Sequence, residues 1–364
     1  MGKNKLHKKF QLNGISFTSV DELLKYSLSF SEEIHLFLND WFSKDNFILV
    51  QTSGSTGKPK SIQLQKELMV NSALATGTFF DTKENTKALL CLSTKYIAGK
   101  MMLVRALTLG WQLDVVVESS SPLKTIEKSY DFSAMVPLQL ENSLEKLDQI
   151  KKLIVGGGAV SNQLKEKLQN KSAKIFATYG MTETITHIAV KKLNNFSDNF
   201  ISNKVENSFY QILPNVTIYK DARNCLVIDA PKVSKEIIFT NDVVNLISDT
   251  QFEWLGRFDN VINSGSIKLQ PEKIEEALSK IIENRFFVAG IPDDTLGEKL
   301  VLIIENVIST DSENSGEKSL KSKISKLTSL SKFEKPKQIY FIDKFIETET
   351  KKIQRKKTLD LIEF

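Results

Sequence analysis

The sequence predicts an α/β protein in two parts. A large N-terminal domain holds a mostly parallel sheet with a small β subdomain, and a small, mobile α+β domain follows it. Three observations predict this. The chain has 364 residues, 41% of them hydrophobic, which is enough for a large core and too many for one compact domain. Between residues 47 and 180 short apolar runs alternate with helical patterns, as parallel strands joined by helices do. After about residue 187 short β-like runs dominate, and after Gly256 a new strand-and-helix unit begins. The expected division is 1–257 and 258–364, with a hinge near Asp259.

Residues 15–42 carry a helical pattern that Ser19 is placed to cap, with Leu23, Leu24, Tyr26 and Leu28 on one side. Phe47 to Val50 reads as a buried strand running into a Gly/Ser/Thr loop at 52–60, and a helix follows over 66–80. Strands are then expected at 88–93, 113–118, 132–137, 152–158 and 174–180. Helices are expected at 99–109, 122–129, 138–149 and 161–169. The β region holds runs at 216–220, 225–230, 237–240 and 243–248, which read as an antiparallel or barrel-like subdomain. The last unit reads as a helix at 271–283, strands at 285–291 and 300–305, a helix at 318–329 and a strand at 338–342. The segment 309–319 reads as a polar loop.

Lys and Arg number 49 against 44 Asp and Glu, and the net charge of +5 suits anionic small molecules. The lysines are scattered and lack interleaved aromatics, so no nucleic-acid partner is expected. No run approaches the length of a membrane span, and the basic N-terminus lacks the apolar stretch of a secretory signal. Cys91 and Cys225 sit in apolar runs and read as buried residues of a reducing compartment, so a cytoplasmic location is expected. Three histidines and no Cys/His cluster argue against structural zinc.

The strongest local signal is Thr52-Ser53-Gly54-Ser55-Thr56-Gly57-Lys58-Pro59-Lys60, directly behind the 47–50 strand. Its glycines let backbone N–H groups approach phosphate oxygens, while its hydroxyls add donors and its lysines charge. A Walker A loop needs glycine at position 52 and Ser or Thr at 59, where this chain has Thr52 and Pro59. The loop instead resembles the phosphate-binding signature of the acyl-adenylate-forming superfamily. Further segments match that family in order. They are Gly156-Gly157-Gly158, Tyr179-Gly180-Met181-Thr182-Glu183-Thr184, Thr240-Asn241-Asp242, Gly256-Arg257-Phe258-Asp259, Ser264-Gly265-Ser266 with Pro271 to Glu275, and Thr348 to Arg355.

The resemblance implies ATP, Mg2+ and coenzyme A as co-substrates and cofactors, and a small-molecule carboxylic acid as substrate. It implies a phosphate role for Thr52 to Lys58, and an adenine-facing turn at Gly157 and Gly158 beside Tyr179 and Gly180. It assigns Glu183, beside Thr182, to magnesium, and Asp242 and Arg257 to the ribose. It makes Lys352 the catalytic lysine, Asp259 the pivot, and Ser264 and Gly265 part of the thioester-forming state. A helix-terminal charge for Glu183, a turn aspartate for Asp242, a surface ion pair for Arg257 and a solvated basic tail for Lys352 are the alternatives. Three departures stand out: Asn241 replaces the family's glycine, Lys351 replaces the glycine before the catalytic lysine, and Ser93-Thr94-Lys95-Tyr96 replaces the usual strand end. Longer members also carry a longer region before the first signature, which this chain reaches after 51 residues.

Within the superfamily, GKMMLVRALTLG (99–110) and TYGMTETITHIA (178–189) look most like the 2-succinylbenzoate–CoA ligases of menaquinone biosynthesis. A dicarboxylate needs a fixed cation for the carboxylate that does not react, and a guanidinium supplies a bidentate contact. Arg105 is the candidate, against an ordinary helix-surface arginine. His187 is placed to line the same pocket, against a satisfied buried histidine. The alternative functions are an adenylation domain loading an acid or amino acid onto a carrier protein, and an adenylate-binding protein without catalysis.

Overall fold

The computed structural model describes residues 6–51, 61–194, 209–305, 313–348 and 353–362. A short hairpin of β1 (Gln11–Leu12) and β2 (Ile15–Ser16) leads into α1 (Val20–Phe30) and α2 (Glu32–Phe42). The single helical pattern over 15–42 is therefore broken at Ser31. The Ser31 N–H closes on the Ser27 carbonyl and ends α1, and its hydroxyl accepts from the Ile34 N–H and starts α2. Ser19 caps α1 as expected, accepting from the Glu22 N–H. Leu23 is buried, but Leu28 lies in solvent rather than on the packed side.

The next strand, β3 (Phe47–Gln51), is half-buried rather than buried, with Ile48 and Val50 inward and Leu49 outward. It pairs antiparallel with β4 (Ser61–Gln65), which the sequence pattern did not reveal. The pair forms a sheet of its own, and the 52–60 segment between its strands lies outside the described residues.

After α3 (Lys66–Phe80) comes the expected alternation of β5 (Lys87–Leu90), α4 (Ile97–Leu109), β6 (Gln112–Val115), β7 (Tyr130–Met135), α5 (Pro137–Glu141), β8 (Ile150–Val155), α6 (Asn162–Leu168) and β9 (Lys174–Gly180). The strands lie in the order β1, β6, β5, β7, β8, β9, each parallel to its neighbour. Ala88 and Leu90 pack in one core with Met69 of α3 and Met101 of α4, while Leu89 packs in another with Leu140 of α5 and Leu164 of α6. Cover on both faces is why these strands read as unbroken apolar runs. Burial pushes the Cys91 thiol up to about 12, so it behaves as an inert core residue, as expected. The helix expected over 122–129 is instead a run of turns. The Lys146 and Gln149 side chains take the carbonyls of Lys124 and Ile126, so no helical ladder is needed there. The 138–149 helix is α5 followed by a 3-10 turn, Leu144–Gln149.

Past β9 the direction changes. β10 (His187–Lys192), β11 (Tyr210–Ile212), β12 (Thr217–Lys220), β13 (Cys225–Asp229), β14 (Ile238–Ser248) and β15 (Gln251–Arg257) are all antiparallel. The order β9, β10, β11, β15, β14, β13, β12 makes them a continuation of the parallel sheet, not a separate barrel. The runs at 237–240 and 243–248 are one strand, because a bulge between Val243 and Val244 absorbs the break in alternation.

A second sheet is built from β16 (Ile262–Ser264), β17 (Ile267–Leu269), β18 (Phe286–Asp293), β19 (Gly297–Glu305) and β20 (Gln338–Ile342). The helices here are α7 (Pro271–Leu278), shorter than expected, α8 (Glu313–Lys326) and α9 (Arg355–Leu359). α8 starts inside the stretch read as a polar loop, of which 306–312 lies outside the described residues. Val288, Leu300 and Leu302 face α7, while Phe287, Val301 and Ile303 face Phe345 on the other side. Among the described residues no helix is long and apolar enough to cross a membrane.

α7 brings Glu275 into this second core, where it accepts from Arg355 at 2.8 Å and from the Val288 N–H at 2.9 Å. Burial outweighs the Arg355 charge and pushes the carboxyl up to about 7 from 4.5. A folded pKa above the unfolded one contributes stability at pH 4.5 and below, which is lost as pH rises through 7. Between pH 5 and pH 8 the wild type should lose up to about 3 kcal/mol more stability than Glu275→Gln, at about 1.4 kcal/mol per pKa unit. Urea midpoints of the two proteins across that range measure the difference, and parallel curves would refute it.

Candidate active site

The candidate residues meet where the parallel strands end and the sheet reverses. Gly156 to Gly158 leave the end of β8 beside Thr178, whose hydroxyl donates to the Val155 carbonyl at 3.2 Å. Gly157 has φ +83°, a backbone state that favours glycine. The carboxyl ends of strands are where open α/β sheets bind ligands.

Tyr179, near the end of β9, points across the sheet. Its hydroxyl donates to Asp242 Oδ2 at 2.6 Å, and Trp254 Nε1 donates to Asp242 Oδ1 at 3.1 Å. Arg257 Nη1 lies 3.8 Å from the same carboxylate, and its Nη2 lies 3.0 Å from Asp259 Oδ2. Asp242 is buried and aimed by its own strand, since its N–H donates to the Thr240 hydroxyl at 3.0 Å. Tyr210 and Phe252 pack against the Tyr179 ring. Burial first, and the Asp242 charge second, push the Tyr179 phenol far up, so it is a permanent donor.

After Gly180 the chain reverses within a few residues. A Cβ on Gly180 would stand 2.2 Å from the Thr186 carbonyl oxygen, so only glycine lets the returning strand approach. Thr182–Thr184 form a 3-10 turn, and Ile185 follows with φ +66° and ψ −59°. The Thr186 N–H reaches the Thr184 carbonyl at 2.7 Å, closing a γ-turn of the strained hand on a β-branched residue. The buried Thr184 hydroxyl, bonded to the backbone of Met181 and Thr186, holds the turn. Thr182 is half-buried, and Glu183 projects into solvent from the turn.

Directly across from Gly180 in register is His187. It lies beside Arg105, which is 1% exposed on α4, so the arginine is not a helix-surface residue. Arg105 Nη2 lies 3.5 Å from His187 Nδ1, Arg105 Nε lies 3.4 Å from the Thr76 hydroxyl, and His187 Nε2 lies 3.4 Å from the same hydroxyl. Thr76 itself donates to the Ser72 carbonyl, so its oxygen accepts from both neighbours. That assigns a neutral His187 with Nδ1 toward the guanidinium. Burial, then the Arg105 charge, hold His187 well below its ordinary value. Burial alone draws Arg105 down to about 9, and no carboxylate lies against it among the described residues.

One expected group is elsewhere. Ser264 and Gly265 bond within their own sheet, Gly265 N–H to the Leu296 carbonyl at 2.6 Å and Ser264 opposite Gly297. Thr52, Ser53, Gly54, Ser55, Thr56, Gly57, Lys58 and Lys352 lie outside the described residues.

Residues 12–220 match the family described as AMP-binding enzyme. The chain belongs to that family. It is 34% identical to an acyl-CoA synthetase (AMP-forming)/AMP-acid ligase II-like protein from Dyadobacter fermentans, over 90% of this chain and 93% of that one, with a TM-score of 0.59. It is 23% identical to the 2-succinylbenzoate–CoA ligase of Bacillus cytotoxicus, over 96% of this chain and 75% of that one. An O-succinylbenzoate coenzyme A synthetase from Bacillus subtilis, solved in complex with ATP and magnesium ion, shares the fold at 19% identity, covering 94% of this chain and 82% of its own, with a TM-score of 0.69. Trp254 and Thr76 were missed as site residues of this AMP-binding enzyme. Neither stands in a recognisable motif; the pairing of β14 with β15 brings Trp254 to Asp242, and the packing of α3 on α4 brings Thr76 to Arg105.

Proposed function

We propose that this AMP-forming ligase activates 2-succinylbenzoate with ATP and transfers the acyl group to coenzyme A. The observation that carries the choice of acid is Arg105, a buried guanidinium faced, among the described residues, by the neutral Thr76 and His187. A buried cation without a counter-ion is costly until an anion arrives. The relatives named 2-succinylbenzoate–CoA ligase support the same acid, whose second carboxylate would complete the pair. A cytoplasmic location fits this reading and the two reduced cysteines.

In the first half-reaction a carboxylate oxygen attacks the α-phosphorus of ATP and the bond to pyrophosphate breaks. The Thr52 to Lys58 loop would cradle the phosphates, with Gly157, Gly158, Tyr179 and Gly180 beside the base. Asp242 and Arg257 would hold the ribose, the carboxylate already oriented by Tyr179 and Trp254. Lys352 would neutralise charge where carboxylate and α-phosphate meet. Among the described residues no three acidic, His or Cys side chains cluster as a metal cage. The single solvent-facing carboxylate of Glu183, beside Thr182, fits magnesium, which binds through one or two carboxylates plus substrate phosphates and water. Bound there, the ion would draw charge from the leaving pyrophosphate.

In the second half-reaction the coenzyme A sulfur attacks the acyl carbon and the bond to AMP breaks. We place the domain boundary between Arg257, which ends the large sheet, and Ile262, which starts the small one. Rotation about Asp259 would exchange Lys352 for the Ser264–Gly265 turn. Incubating the protein with ATP and a panel of acids, with and without coenzyme A, tests the reaction. Coenzyme-A-dependent AMP release should be greatest with 2-succinylbenzoate. A preference for fatty or amino acids, or turnover only with a carrier-bound thiol, would overturn the reading.

A further inference from the structure

The position where this chain departs from the family's Thr-Gly-Asp pattern carries a set of contacts that no glycine can make. Asn241 and Asp242 are neighbours on β14, so their side chains leave opposite faces. While Asp242 turns in toward Tyr179, Asn241 turns out toward the hinge. Its Oδ1 accepts from Arg223 Nη1 at 2.9 Å, and its Nδ2 donates to Asp259 Oδ1 and Oδ2 at 3.3 and 3.2 Å. The cation on one side and the carboxylate on the other fix the amide's orientation.

Arg223 has partners of its own. Its Nε donates to Asp221 Oδ2 at 2.8 Å, its Nη2 donates to the Thr240 carbonyl at 3.1 Å, and its guanidinium lies 5.3 Å above the Phe258 ring. Arg223 and Asn241 thus grip two successive residues of the hinge, Phe258 and Asp259, from the large sheet. In this orientation the Ser264–Gly265 turn is bonded within its own domain.

We infer that Asn241, backed by Arg223, is a positioning residue that latches the hinge in the observed orientation and so opposes the turn of the small domain that thioester formation needs. The inference rests on the rotation proposed above. The latch is polar and partly exposed, so its release changes a rate by a modest factor and does not unfold the protein.

The test measures the two half-reactions separately, adenylation by pyrophosphate exchange and thioester formation from synthetic acyl-adenylate and coenzyme A. Asn241→Ala should raise the ratio of thioester rate to adenylation rate about three- to tenfold. Asn241→Asp, which keeps the acceptor toward Arg223 but sets two like charges together at the hinge, should raise it at least as much. A purely structural role would lower both rates together. Asp259→Pro serves as the control for the rotation, since a fixed backbone angle there should stop the second half-reaction. If it does, and both Asn241 variants leave the ratio unchanged, the latch is refuted and the rotation stands. If Asp259→Pro leaves thioester formation intact, the rotation and the latch fall together.

Discussion

Glu183→Gln is expected to slow ATP–pyrophosphate exchange by about two to three orders of magnitude, the scale of losing one preorganised charge partner. The substitution keeps size and shape and removes only charge. Its surroundings argue that nothing else will change. The side chain faces solvent, and the turn that carries it is held by the Thr184 hydroxyl and the γ-turn at Ile185, neither of which uses the carboxylate. The far-ultraviolet spectrum and urea midpoint should match the wild type, so a slow variant would be slow for chemical reasons. Raising the magnesium concentration should recover part of the rate if the lost group holds the metal. A near wild-type exchange rate would remove Glu183 from the mechanism.

Arg105→Ala should lower kcat/KM for 2-succinylbenzoate by about 2–5 kcal/mol, or roughly thirtyfold to several thousandfold, because the substrate's second carboxylate would be buried without its partner. The same variant should lose far less with benzoate, which has no second carboxylate to pair. Arg105→Lys should recover little, since an ammonium cannot make the bidentate contact. Breaking a buried ion pair usually destabilises a protein by exposing the other charge to a dry core. Among the described residues no other charge lies against Arg105, so the stability loss should be confined to the cavity left behind. Equal losses for both acids would show that Arg105 supports the fold and does not select the substrate.

Much of this was legible in the sequence for reasons that are local. The 66–80 helix and the 174–180 strand came out at their observed bounds because neighbouring residues decide them. The γ-turn at Ile185, the hairpin partner of β3 and the join between the parallel and antiparallel strands were not legible, because pairing between distant segments creates them. The failed helix at 122–129 has the same cause, since two side chains from 146 and 149 satisfy the backbone there. At the site, motif order pointed to Asp242, Arg257 and Tyr179, but their meeting at the Asp242 carboxylate depends on the pairing of β14 with β15 and on a long-range contact from β9. The burial of Arg105 was undecidable from the run GKMMLVRALTLG alone, because a helix covered on all sides has no polar face to betray its orientation.

The two sheets have separate sets of core side chains, one drawn from residues up to Phe252 and the other beginning at Ile262. A chain built this way is expected to unfold in more than one step, because two-state behaviour belongs to one cooperative core. If the two sheets belong to separate domains, as proposed, a calorimetric scan should contain two endotherms, whose separation is set by the surface contacts of α7 with the large sheet. Asn162 with Ser279, Lys165 with Glu276 and Lys273 with Glu253 are such contacts, all polar and at least partly exposed. Nucleotide held by the large domain alone would raise only one of the two peaks. An acyl-adenylate gripped by both halves would pull the peaks together, so the heat capacity trace reports which domains a bound ligand touches.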